Sequence, residues 1–121
     1  MGLGADYSAF IRDLFAPVGP ISIKRMFGGA GVFTQGVMFA LIADEQIYLK
    51  VDEENEAIFL EAGCETFTYT TKKGVKGVMS YRLMPDECYD DPDLLEGWAT
   101  TAIEAAFRND AKKPKSKQKR R

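Results

Sequence analysis

The stretch from Lys24 to Val51, KRMFGGAGVFTQGVMFALIADEQIYLKV, constrains the fold more than any other part of the chain. Short apolar runs of strand length are separated by dipeptides that favour turns. The reading is four successive antiparallel strands over 21–27, 30–34, 37–43 and 46–51, with turns at Gly28-Gly29, Gln35-Gly36 and Asp44-Glu45. The third run, VMFALIA, is apolar throughout, so it is expected in the middle of the sheet and covered on at least one face. The fourth alternates, with Ile47, Leu49 and Val51 on one side and Tyr48 and Lys50 on the other.

The flanking segments supply helices. Tyr7, Phe10, Ile11, Leu14 and Phe15 fall on one helical face, with Asp6 or Ser8 as the expected cap and Pro17 as the stop after Ala16. Asp52 is placed to cap a second helix whose apolar weight is Ala57, Ile58, Phe59 and Leu60 and whose C′ residue is Gly63. Strands are expected at 65–71 and 75–83 around a Lys72-Lys73-Gly74 turn, with Met79, Tyr81 and Leu83 sharing a face. Asp91-Pro92-Asp93 opens a third helix, ending near Arg108, with Leu94, Leu95, Trp98, Ala99, Ala102, Ile103 and Ala106 as its packing face. The expected order is α-β4-α-β2-α. This is an α+β domain in two layers, with helices on one face of an antiparallel sheet.

Charge divides the chain. Of 16 Lys and Arg, seven lie in residues 112–121, so the preceding 111 residues hold nine cations against 18 acids, a net of −9. The expected organisation is a folded body over 1–111 and a disordered basic tail over 112–121. A negative body disfavours phosphate, which leaves Lys112, Lys113, Lys115, Lys117, Lys119, Arg120 and Arg121 as the candidate nucleic-acid contacts. No apolar run reaches the ~18 residues that span a bilayer. The N-terminus lacks the cations and apolar core of a secretory signal, and Asp6 stands where a myristoylation motif needs Ser or Thr. A soluble cytoplasmic protein without membrane attachment is expected, as a monomer or homodimer.

The chain has no histidine, which removes the commonest general base and metal ligand together with every His-based triad. The two cysteines, Cys64 and Cys88, form no CxxC and read as free structural thiols. Gly28-Gly29-Ala30-Gly31 fits neither GxxxxGK[ST] nor GxGxxG, and a strand follows it rather than a helix. It reads as a hairpin turn needing φ > 0. Asp86, Glu87, Asp90, Asp91 and Asp93 lack the spacing of a calcium loop and read as helix-capping acids. Tyr69, Met79, Tyr81 and Trp98 read as packing residues. No catalytic residue, metal or cofactor is expected. Lys24, Arg25, Tyr48 and Lys50, together with Gly28 and Gly29 of the turn, are the candidates for a small anion- or partner-binding patch, the charged ones being otherwise solvated.

Four segments together resemble the N-terminal domain of the TfoX/Sxy proteins: Lys24-Arg25-Met26-Phe27-Gly28-Gly29-Ala30-Gly31, Gly36 to Ala43, Tyr48-Leu49-Lys50-Val51-Asp52 and Phe67-Thr68-Tyr69. Asp91-Pro92 and Trp98 fit the same pattern, so the resemblance covers roughly residues 6–108. It implies an α+β domain of a competence-regulator family whose longer members act with the cyclic-AMP receptor protein and carry a second, helical domain. Here a basic tail follows instead. The leading expectation is a stand-alone, non-enzymatic regulatory domain acting by protein–protein contact through its sheet and arginine–glycine turn. The alternatives are a binder or enzyme for a small anion, using Lys24, Arg25, Tyr48 and Lys50, and a nucleic-acid accessory working through the tail.

Overall fold

The computed structural model describes residues 5–26 and 29–112. Its elements are α1 (Ala5–Leu14), β1 (Ser22–Met26), β2 (Gly29–Thr34), β3 (Val37–Ala43), β4 (Gln46–Lys50), α2 (Glu56–Glu61), β5 (Thr66–Thr71), β6 (Gly74–Leu83) and α3 (Pro92–Ala111). Short 3-10 turns at Ala16–Val18 and Asp86–Tyr89 join α1 to β1 and β6 to α3. The fold is the expected α+β order. All described strand pairs are antiparallel, and the sheet runs β1-β2-β3-β4-β6-β5.

Cross-strand partners share a face of a sheet. One row, Ile23–Val32–Ala40–Leu49, and its neighbour, Ala30–Ile42–Ile47, point into the core. There they meet Ile11 and Phe15, Phe59 of α2, and Leu95, Ala99, Ala102 and Ala106 of α3. A bulge sharpens this layer. Val32 pairs with Ala40 but Phe33 pairs with Met38, so Phe39 is an extra residue on β3. Phe39 and Ala40, adjacent in the chain, are therefore both fully buried. Phe39 meets Phe15 edge to face, with ring centroids 5.3 Å apart.

Local chemistry explains most boundaries. The Asp91 carboxylate accepts hydrogen bonds from the amides of Asp93 and Leu94 (3.0 and 3.2 Å), and Pro92 sits where a helix needs no amide donor. Gly63 has φ +76°, and behind it the Cys64 amide donates to the Phe59 carbonyl (2.9 Å). These contacts close α2 as a Schellman motif, which favours glycine at that left-handed position. The β3–β4 turn holds Asp44 and Glu45 at φ 52° and 61°, the mirror-image turn that matches strand twist.

Several expectations are corrected. α1 already includes Ala5, so Asp6 and Ser8 lie within it rather than capping it, and it ends at Leu14 because Pro17 belongs to the following 3-10 turn. α2 starts at Glu56, because Asp52 first organises a tight turn over residues 53–55. On α3, Leu94 is 41% exposed and Ala105 is fully buried, and the helix runs to Ala111. Gly29 is a strand residue paired with Met26, with no left-handed backbone. Its glycine is required by close approach, since a Cβ there would collide with the Ile42 carbonyl oxygen. Gly28 and the Met79 side chain lie outside the described residues.

Candidate functional site

The sheet has an open face opposite the helices. Its central row is Lys24–Gly31–Leu41–Tyr48–Leu83, followed by Lys50 paired with Tyr81. Gly31 lets Met26, Phe33 and Met38 close over β2. A Cβ there would stand 2.6 Å from the Met38 sulfur and 3.1 Å from both the Met26 methyl and the Phe33 ring. The Lys24 ammonium lies 5.7 Å from the centre of the Phe33 ring, and the Lys50 ammonium 5.0 Å from that of Tyr81. Tyr48 packs edge-on against Phe67 (4.8 Å), and Phe67 stacks on Tyr69 (6.1 Å). Burial, with Asp44 and Glu65 nearby, pushes the Tyr48 hydroxyl above its usual pKa. A groove of about 760 Å3 lies here, lined by Met26, Leu41, Ala43, Asp44, Phe67 and Tyr69 among others.

The sequence candidates are spread across this architecture. Lys24 and Tyr48 share the open face, but three strand spacings of ~4.8 Å place their backbones about 14 Å apart. Arg25 pairs with Ala30 and so belongs to the opposite face at the exposed edge. Gly29 borders the open-face groove. These groups do not converge on one anion-sized point. Lys112 caps α3 and lies 3.9 Å from Glu53, whereas Lys113, Lys115, Lys117, Lys119, Arg120 and Arg121 lie outside the described residues. Cys64 and Cys88 are free and buried, and burial first of all raises both thiol pKa values, Cys88 to about 11, which keeps them protonated and inert. Among the described residues no cluster of His, Cys, Asp or Glu could hold a metal ion. No helix of the described residues is long and apolar enough to cross a membrane.

The most developed polar cluster was not anticipated from sequence. The Arg108 guanidinium donates two hydrogen bonds to the Asp52 carboxylate, 2.7 and 2.9 Å, from a helix 56 residues away. Asp52 also accepts from the amides of Glu54 and Asn55. Asn55, only 6% exposed, answers by accepting the Asp52 amide (2.7 Å) and donating to the carbonyls of Lys50 (3.1 Å) and Thr101 (3.2 Å). The end of β4 is thereby latched to α3. The Asp52-x-x-Asn55 spacing is a legible reciprocal cap. Nothing local marks Arg108 as its partner.

The hydrogen bond from Arg108, aided by the two backbone amides, holds the Asp52 carboxyl down to about 2 from its ordinary 3.8. A depressed folded pKa contributes stability above the unfolded value, and that stability is lost as pH falls through the folded one. With the carboxylate partly in solvent, the free energy of unfolding should fall by about 1–2 kcal/mol between pH 4 and 2 from this group. Urea titrations across that range should show the loss, and Arg108→Met should remove most of it.

The TfoX N-terminal domain model matches residues 13–106, which include every strand and most of α3. The DNA transformation protein TfoX1 of Aliivibrio fischeri is 35% identical over 69 residues, covering 57% of this chain and 31% of that protein. The match thus spans about a third of the relative's length. The chain belongs to the TfoX N-terminal domain family.

Proposed function

We infer that this domain is a non-enzymatic regulator of the competence type and works by presenting its open sheet face to another protein. The observation that carries the reading is a segregation of charge between the two layers. None of the 18 acids falls within a strand, whereas the strands hold Lys24, Arg25, Lys50, Lys76 and Arg82. The acids gather on the helices, turns and connections. By register Lys24, Lys50 and Lys76 belong to the open face and Arg25 and Arg82 to the helical side, so the open face offers half-buried apolar groups (Met26, Phe33, Leu41, Tyr48 and Phe67) among three lysines, with Asp44 and Glu65 at its margin. It suits a protein surface with an apolar centre and an acidic rim. The absence of histidine and the scatter of Lys24, Arg25, Tyr48 and Lys50 weigh against the small-anion alternative. The name of the A. fischeri relative supports DNA transformation as the process served.

The test is genetic and uses the whole chain. Deleting the gene in the source organism should lower DNA uptake, and the wild-type chain should restore it. Leu41→Glu and Tyr48→Glu, shown by thermal melts to be folded, should restore it at least about tenfold less well, the scale of one lost interface anchor. A chain ending at Ala111 should complement like the full chain. Unchanged uptake after deletion sinks the competence reading. Full complementation by both open-face variants sinks the sheet contact, and failure of the chain ending at Ala111 moves the activity to the tail.

A further inference from the structure

Three aromatic rings from two separate elements stack at the surface. Phe10 of α1 lies between Tyr7, with ring centroids 5.7 Å apart, and Tyr89 of the 3-10 turn before α3, at 6.4 Å with 8° between the planes. Tyr7 and Tyr89 are half-buried, but Phe10 is 43% exposed. Acids edge the stack. Asp6 and Asp13 stand four residues before Phe10 and three after it, so both share its side of the helix. Glu45 of the β3–β4 turn and Asp86 lie close enough to act on the hydroxyls of Tyr7 and Tyr89, which burial first of all raises, Tyr89 to about 12. Among the described residues none of these four carboxylates is in an ion pair. Ring faces edged by carboxylates repel phosphate and attract a cation, above all a planar guanidinium.

The chain itself supplies one segment of that chemistry. Residues 112–121 hold seven Lys and Arg and no acid, with Arg120 and Arg121 adjacent. Arg12, on α1, is already engaged, donating to the Ile21 carbonyl (3.1 Å). Reach disfavours docking within one molecule. The 20 residues of α3, ~30 Å long, separate Tyr89 from Lys112. Residues 113–121, outside the described residues, span at most ~30 Å when fully extended. A second copy has no such limit. We propose that the Tyr7–Phe10–Tyr89 stack and its carboxylates are the docking site for residues 113–121 of a second copy of this chain, with an arginine seated on Phe10. Two copies that exchange these segments form a reciprocal pair. The contacts are few and charged, so the pair is weak and yields to salt. This inference is independent of what the open face binds.

Sedimentation equilibrium of the full chain from about 10 μM to 1 mM should show a monomer–dimer equilibrium, weakened at least roughly tenfold between about 50 and about 500 mM NaCl. Phe10→Ala, shown by thermal melts to be folded, should weaken it about tenfold, the scale of one lost anchor. Arg120→Lys with Arg121→Lys keeps every charge and should still weaken it roughly threefold, because an ammonium does not lie flat on a ring. A full-length variant with the six cations of residues 113–121 changed to glutamine should be monomeric. Mixed with the Phe10→Ala chain, whose tail is intact, that variant should form a one-to-one complex through its own intact stack. A wild-type chain that stays monomeric throughout overturns the proposal and leaves the stack to a basic segment of some other protein. So does a dimer indifferent to Phe10→Ala, to the paired arginine change or to loss of the tail cations, or a mixture in which the two variants stay apart.

Discussion

Phe39→Ala is expected to destabilise the protein by about 3–5 kcal/mol, a large share of the ~5–15 kcal/mol that holds a domain of this size together. Phe39 is fully buried, packs edge to face on Phe15, and is the bulge residue of β3, set between the partners of Val32 and Phe33. Truncation removes the apolar transfer energy and the aromatic pair together. The bulge backbone that aims Phe39 inward fixes the cavity walls, so little collapse can offset the loss. Phe39→Leu should cost less, about 1–2 kcal/mol, because most of the volume is retained. Urea unfolding curves of the three proteins check the order. A Phe39→Ala cost below ~1 kcal/mol would mean that the ring is not a structural anchor.

That anchor also shows what sequence reading can and cannot reach. The apolar run 37–43 is legible as a central strand, and it is one. Period-two alternation alone assigns Phe39 and Ala40 to opposite faces, and only the pairing of Phe33 with Met38 reveals that both enter the core. Gly29 is similar. Its neighbour Gly28 makes it look like a turn residue, but the reason for glycine lies on a different strand, in the Ile42 carbonyl. Caps such as Asp91 are readable because the partner amides are two and three residues away. Arg108 is unreadable because its partner is 56 residues away.

The candidate site follows the same rule. Lys24 and Arg25 are neighbours in sequence, and a strand sends them to opposite faces. The net charge of the body is equally uninformative about its surfaces. The average of −9 conceals a sheet whose strands hold no acid, all 18 lying in the helices, turns and connections. Mean charge therefore says little about the open face, where Lys24, Lys50 and Lys76 stand on the strands and Asp44 and Glu65 at the margin.

Asn55→Leu should cost about 2–4 kcal/mol, although it swaps a polar side chain for an apolar one of similar size in a buried place. The leucine leaves the Asp52 amide without its side-chain acceptor and takes the Asn55 hydrogen bond from the carbonyls of Lys50 and Thr101. At 6% exposure, solvent cannot replace them. Asn55→Ala should be milder, since the space freed admits a water that can bond to two or three of the same groups. Asn55→Asp is the most telling variant. It keeps the acceptor for the Asp52 amide and points a second carboxylate oxygen at two carbonyl oxygens. The introduced carboxyl should therefore titrate above the usual range. The sign follows from linkage: with the folded pKa raised, Asn55→Asp should recover stability relative to wild type as pH falls from 7 toward 5. Leu and Ala variants should show no such recovery. Parallel urea titrations at the two pH values decide the matter. An Asp variant with no pH-dependent deficit would show that the Asn55 amide does not donate to Lys50 and Thr101, and that the latch between β4 and α3 rests on Arg108 and Asp52 alone.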